Sequence, residues 1–156
     1  MLRLNVRDFK GGPLPTADAL SPDDPVFSGL ELDLVGPVEI DGTLQPTDGG
    51  DFFWRAHLRA QVAGECRRCL TDVTLVIDDD VDVLFSADPD LVDDPGVYEL
   101  AADAESVDVT PAIREELALR VSAFPLCRAD CKGLCATCGA DLNAGSCQCA
   151  RTGSTN

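Results

Sequence analysis

Eight cysteines stand in four close pairs, Cys66/Cys69, Cys127/Cys131, Cys135/Cys138 and Cys147/Cys149, six of them within "CRADCKGLCATCGADLNAGSCQC" at 127–149. A Cys-x-x-Cys turn can aim two thiolates at one ion while backbone N–H groups face the sulfurs, and a structural zinc takes four such ligands in a tetrahedron. Four pairs with no cysteine left over predict two zinc sites, each with four cysteine ligands. The local solution joins Cys135 and Cys138 to Cys147 and Cys149 across "GADLNAGS", leaving Cys66 and Cys69 to meet Cys127 and Cys131. A rival assignment exchanges Cys131, or the Cys147/Cys149 pair, between the sites.

Two other uses of the thiols compete with metal. Disulfides are disfavoured because neighbours such as Cys147 and Cys149 are too close in sequence for an easy bridge. The absence of a signal-like apolar run in "MLRLNVRDFKGG" and of any transmembrane-length run gives the reading of a cytoplasmic protein, whose thiols are kept reduced. A thiol-based redox sensor would use the same cysteines, and nothing in the sequence selects for it. Catalysis is disfavoured on different grounds. An open zinc site normally includes His or carboxylate ligands, and the single histidine, His57, sits on an alternating strand pattern rather than in a ligand pair. The expectation is a protein that is not an enzyme and has no small-molecule substrate.

Asp and Glu number 28 against 12 Lys and Arg, a net charge of −16 that repels phosphate. Direct nucleic-acid binding therefore starts at a disadvantage. The acidity serves either solubility or a docking face for a basic partner. Arg67, Arg68, Arg128 and Lys132 lie between or beside the ligands, where they can offset thiolate charge or recognise a partner.

These residues need elements to hold them. Trp54, Ala56, Leu58, Ala60 and Val62 alternate with Arg55, His57, Arg59 and Gln61, and residues 73–85 alternate likewise apart from Asp79. Placing apolar against apolar sets Val62 opposite Val73 and Leu58 opposite Ile77, and fixes the faces of both strands. This register closes Glu65 on Leu70, puts Cys66–Cys69 in a four-residue hairpin loop, and faces Arg55 to Asp80 and His57 to Asp78. Across the preceding turn, Arg59 falls beside Glu39. Such cross-strand pairs contribute about 0.2–1 kcal/mol each, so the plain reading of this stripe is a solvated face. The sharper reading makes Arg55, Arg59, Arg67 and Arg68 candidate contacts to a partner or to RNA.

Further strands are expected at 2–7, 38–45, "VYEL" and "SVDV", with a Pro-rich loop over 11–25 and an Asp-rich loop over 86–96. "TPAIREELALRVSAF" predicts a helix over 110–124 with Thr110 as N-cap, Pro111 in the first turn and Ile113, Leu117, Val121 and Phe124 as its apolar stripe. The fold class is α+β: a mainly antiparallel β-sheet or partly open barrel with one packed helix and a C-terminal zinc-binding module. The expected organisation is a β domain over 1–126, a Cys-rich module over 127–149 packed against the 66–69 hairpin tip, and a disordered tail over 150–156.

"CRRCL" at 66–70, the Asp-rich segment leading to "VYEL", "VDVTPAIREELALRVSAFPLC" and "CKGLCATCGADLN" with the closing "CQC" resemble the YceD family, the large ribosomal RNA subunit accumulation proteins. The resemblance is specific over 66–149 and loose before it. It implies a bacterial or organellar factor needed for normal accumulation of large-subunit ribosomal RNA, with no established catalytic activity. Some members lack the "GLCxxCG" quartet yet keep the hairpin pair and ligand-type residues after the helix, which agrees with the first and second pairs forming one separable site. Ala136 departs from the proline often found there, which bears on turn rigidity more than on ligation. The resulting expectation is a ribosome-biogenesis factor that binds a basic ribosomal protein or ribosomal RNA maturation factor, with direct RNA binding as the alternative and no membrane role.

Overall fold

The computed structural model describes residues 2–149 and is mostly β-sheet with one α-helix. Nine strands, β1 (Arg3–Asn5), β2 (Leu14–Pro15), β3 (Asp18–Leu20), β4 (Asp33–Leu34), β5 (Val38–Pro46), β6 (Phe52–Glu65), β7 (Asp72–Ser86), β8 (Val97–Glu99) and β9 (Ser106–Asp108), precede α1 (Thr110–Arg120). The larger sheet has the order β2-β5-β6-β7-β8, with β3 also pairing β5 and β4 pairing β6; β1 and β9 form a separate two-stranded sheet. No pairing among the described residues rejoins the two ends of the larger sheet, so of the sheet and the partly open barrel expected from the sequence it is the open sheet.

Two compact units make up the chain. Among the described residues, one contains those up to Val62 and Val76–Val121; the other contains Ala63–Leu75 and 122–149. The residues assigned to a disordered tail, 150–156, lie outside the described residues.

In the first unit Trp54, Leu44, Leu58, Val38, Val81, Val83, Ile113 and Leu117 are fully buried. Alternation on β5, β6 and β7 puts those strand residues on one face, as the period-two pattern requires. The Trp54 indole N–H donates to the buried Thr16 hydroxyl at 2.9 Å. Asp79, the misfit on the apolar side of β7, lies 3.6 Å from the Arg120 guanidinium, which also reaches Glu116 one helical turn back. The helix thus places a cation beside the irregular strand position, whose carboxylate remains exposed to solvent.

Several boundaries differ from the sequence expectation. Residues 11–25 are not all loop: β2 and β3 run along β5, with Leu14 opposite Leu44 and Leu20 opposite Val38. Prolines hold their neighbours extended, and Pro15 is tolerated because β2 is an edge strand. The N-terminal strand stops at Asn5, whose side chain accepts from Arg7 N–H and turns Val6–Asp8 into a 3-10 helix. β8 runs parallel to β7, Phe85 opposite Tyr98.

The helix is four residues shorter than expected, ending at Arg120. Val121 is extended, and the Ser122 hydroxyl accepts from Phe124 N–H at 3.2 Å, a local bond that competes with continued helix. Phe124 therefore leaves the apolar stripe and is 75% exposed. Thr110 is not the N-cap: its hydroxyl accepts from Leu2 N–H at 2.8 Å, while Asp108 accepts from Thr110 N–H at 3.0 Å.

The β5–β6 register is the one the alternation predicts, Glu39 opposite Arg59. The β6–β7 hairpin is shifted by two residues: Arg55 pairs with Asp82 at 2.7 Å, His57 Nδ1 with Asp80 at 2.7 Å, and Cys66 N–H donates to Thr71 O at 2.8 Å. Leu70, expected to begin the return strand, belongs to the turn, with its N–H on Cys66 O at 2.9 Å. A shift of two preserves which side each residue faces, so the buried set is unchanged.

Candidate metal centre

The second unit is built on two copies of one turn. In "CRRCL" Leu70 N–H donates to Cys66 O at 2.9 Å and Cys66 N–H to Thr71 O at 2.8 Å; in "CATCG" Gly139 N–H donates to Cys135 O at 2.8 Å and Cys135 N–H to Ala140 O at 2.8 Å. The fifth residue of each is left-handed, Leu70 at φ 61° and Gly139 at φ 74°. This fold-back brings the first and fourth residues together and points their side chains to one side.

The segment 125–134 is laid on the hairpin turn by main-chain bonds. Arg67 N–H donates to Pro125 O at 2.9 Å and Leu134 N–H to Arg68 O at 3.1 Å. Gly133, at φ 75°, makes the closest approach: a Cβ there would sit 2.9 Å from Arg68 O. Val73, Leu126 and Leu134 pack against Cys66, Cys69 and Cys131, which are all buried.

The result is two groups of four sulfurs, Cys66/Cys69/Cys127/Cys131 and Cys135/Cys138/Cys147/Cys149, each with its ligand atoms within 4.8 Å of one another. Cys131 belongs to the hairpin group and the Cys147/Cys149 pair to the local one, so neither exchange is formed. Across the first group Cys66 Sγ is 3.8 Å from Cys131 Sγ and Cys69 Sγ is 3.6 Å from Cys127 Sγ. A tetrahedron with zinc–sulfur bonds of about 2.3 Å has sulfur–sulfur edges of about 3.8 Å, whereas a disulfide needs about 2.05 Å. The donor set and spacing therefore fit a zinc-like cation.

Polar groups around the sulfurs favour thiolates. Thr137 N–H donates to Cys135 Sγ at 3.4 Å, and Asn143 Nδ2 donates to Cys131 Sγ at 3.4 Å. Backbone N–H groups of Cys127 and then Cys69 draw the Cys66 thiol down to about 6, and those of Cys138 and then Thr137 do the same for Cys135. The Asn143 amide is the chief cause lowering Cys131. Desolvation of its sulfur, followed by its hydrogen bond with Cys131, pushes Cys127 up to about 12, although the residue as a whole is exposed. Cys149 is pushed up to about 12, first by its hydrogen bond with Cys138. Four sulfurs so close cannot all be charged without a cation; a divalent ion releases the remaining protons.

The four candidate contact arginines are all engaged. Arg67 Nε donates to Ala123 O at 3.3 Å, and its guanidinium lies 5.9 Å from the centre of the Phe124 ring. Arg68 donates to Cys131 O at 2.9 Å and Ala129 O at 3.4 Å. In the first unit, Arg55 pairs with Asp82 at 2.7 Å and Arg59 with Asp78 at 3.6 Å. Sequence reasoning missed Asn143 and the left-handed Leu70. A trace of the former was present in "ADLN", where Asp141 accepts from Asn143 N–H at 2.9 Å and fixes a turn.

A family model described as large ribosomal RNA subunit accumulation protein YceD matches residues 54–156. This chain belongs to the YceD family. The match takes in both cysteine groups. Among curated relatives, a chloroplastic large ribosomal RNA subunit accumulation protein YCED homolog 1 of Zea mays is 41% identical over 66 residues, 42% of this chain and 22% of that protein. An uncharacterized protein of Mycobacterium leprae is 28% identical over 121 residues, 73% of this chain and 54% of that one. One of Mycobacterium bovis is 35% identical over 86 residues, 53% and 41% of the two chains. The aligned part of this YceD-family chain thus corresponds to between about a fifth and about half of the length of these relatives. No solved structure matches it. Among the described residues, no helix is long and apolar enough to cross a membrane.

Proposed function

We propose that this YceD-family chain is a non-enzymatic ribosome-biogenesis factor, acting in the cytoplasm, that supports synthesis, processing or stability of large-subunit ribosomal RNA. The observation that carries the reading is the family match over 54–156, the part of the chain holding both tetracysteine groups. Each group binds one structural zinc, and the metals hold the second unit in shape. No histidine accompanies them, so neither zinc has the mixed ligand set of a hydrolytic centre. The net charge of −16 favours a basic ribosomal protein or maturation factor as the direct partner over bare RNA.

A direct RNA-binding zinc module is the alternative, and the engagement of Arg55, Arg59, Arg67 and Arg68 in ion pairs or main-chain bonds weighs against it. The discriminating experiment captures partners of the tagged protein from nuclease-treated extract and, separately, titrates the pure protein with naked large-subunit ribosomal RNA. Capture of a basic ribosomal protein after RNA is removed is expected. Tight RNA binding with a steep salt dependence, abolished by R67E/R68E while metal is retained, would replace this reading with the RNA-binding one. Zinc release at low peroxide doses, coupled to loss of partner, would instead favour a redox sensor.

A further inference from the structure

Asn143 lies in the loop between Cys138 and Cys147 of one tetracysteine group, yet its side chain serves the other. Its Nδ2 donates to Cys131 Sγ at 3.4 Å and to Asp141 Oδ1 at 2.9 Å, and its Oδ1 accepts from Lys132 N–H and from Arg128 Nη2, both at 2.8 Å. The amide has one orientation that satisfies all four. Lys132 N–H and Arg128 can only donate, so the oxygen must face them and the NH2 must face the sulfur and the carboxylate. The loop is held to the 131–134 segment by Leu142 N–H on Gly133 O at 2.9 Å and by a β-bridge between Leu134 and Asp141. The loop's two ends are closed by ligands of the second group, Cys135/Cys138 before it and Cys147/Cys149 after it.

We propose that Asn143 couples the two metal sites, so that filling the Cys135/Cys138/Cys147/Cys149 site strengthens binding at the Cys66/Cys69/Cys127/Cys131 site. The inference rests on the two-zinc reading. A metal ion at the second site pins both ends of the loop. The pinned loop presents the Asn143 amide to Cys131, and an N–H donor to a ligating thiolate disperses its charge and fixes its direction. Because binding free energies are reciprocal, metal at the hairpin site strengthens the second site by the same factor. Asn143 is thus a positioning residue rather than a ligand.

The test uses the full chain and cobalt(II) as a spectroscopic probe, in competition with zinc. Wild-type protein should bind two ions. Changing Cys147 and Cys149 together to Ser should weaken metal at the hairpin site by roughly 10–100-fold, the range typical of lost outer-shell support. N143D keeps the acceptor for Lys132 and Arg128 but replaces the donor with a carboxylate oxygen facing Asp141 and the sulfur, whereas N143A removes the donor without adding charge. Both should weaken the hairpin site, N143A by a comparable factor and N143D by more. Both should also move the hairpin site's thiolate-to-cobalt charge-transfer band to lower energy, which a purely structural defect elsewhere in the loop does not do. Combining N143A with the two cysteine substitutions should add little to either effect. Two bound ions with independent, additive effects, or an unmoved band in both N143D and N143A, would overturn the coupling alone. Fewer than two ions in the wild type would remove the two-zinc reading and the coupling with it.

Discussion

Leu70 occupies, in the first knuckle, the position that Gly139 occupies in the second: both are left-handed and both donate their N–H to the carbonyl of the first cysteine of the turn. Glycine takes that conformation without penalty, whereas a residue with a Cβ loses about 1–2 kcal/mol there. The Leu70 side chain is 60% exposed and recovers little of this by burial. L70G should therefore raise the stability of the metal-loaded protein by up to about 1 kcal/mol, the gain being trimmed by the greater freedom of glycine in the unfolded chain. G139L should lower it by about 1–2 kcal/mol. Denaturant unfolding in zinc-buffered solution checks both, and a destabilised L70G would show that the leucine side chain makes a contact worth more than the strain.

Metal removal should act on one unit far more than on the other. A structural zinc site contributes roughly 10–16 kcal/mol apparent at neutral pH, comparable to the whole stability of a domain, about 5–15 kcal/mol. The second unit has few fully buried apolar side chains apart from the cysteine group, while the first has Trp54, Leu58, Val81, Ile113 and Leu117 at its core. Chelation should collapse amide-exchange protection at Cys66–Leu70 and Cys131–Leu142 and leave it in β5, β6 before Val62 and α1. Equal loss in both units would show that the first depends on the metals for its fold.

The four cysteine pairs were legible because close spacing carries them directly, whereas which pairs meet is open to rival assignments that only the folded chain separates. The faces of β5, β6 and β7 were legible because alternation is a property of the strand itself. The hairpin register was not. Apolar matching is satisfied equally by any shift of two, and the deciding term is the left-handed Leu70, a conformation that nothing in a leucine announces. The early end of the helix was hidden for a related reason: Val121 and Phe124 continue the apolar spacing, and only the Ser122 hydroxyl, bonding to Phe124 N–H, reveals the competing turn. Thr110 had the composition of an N-cap, but its hydroxyl is taken by Leu2, more than a hundred residues away in the chain. Local patterns cannot register such bonds.

His57 is bracketed on its strand face by two carboxylates, with Nδ1 2.7 Å from Asp80 and Nε2 2.5 Å from Asp78. Carboxylates accept, so both ring nitrogens donate only in the imidazolium form. The hydrogen bond with Asp80, then that with Asp78, raises the His57 pKa above its usual 6.5. Desolvation opposes the shift in part; Asp41 lies opposite on β5, and Arg59 shares Asp78. A group whose pKa is higher folded than unfolded stabilises the fold fully below the unfolded value, and the contribution is lost as pH rises through the folded one. Stability should fall as pH is raised through that upper value, and H57Q should flatten this part of the profile. Nuclear magnetic resonance titration of the single imidazole reads the pKa directly; a value at or below 6.5 would remove the expectation.

Gly133 should be the most sensitive backbone position of the hairpin site. An added Cβ would stand 2.9 Å from the Arg68 carbonyl oxygen, and the left-handed φ of 75° adds its own penalty. The carbonyl cannot yield freely, because it accepts from Leu134 N–H at 3.1 Å within the turn that sets Cys66 and Cys69. G133A should therefore push the 127–134 segment away from the turn and separate Cys127 and Cys131 from their partners. The expected loss is about 2 kcal/mol or more, combining overpacking with left-handed strain. Metal titration should show it as weaker binding at the hairpin site and, through the proposed coupling, a smaller fall in affinity at the second site, whose own cobalt spectrum is retained at saturating metal. A G133A protein with both sites at wild-type affinity would mean that the main-chain contact at Arg68 does not hold the ligands in place.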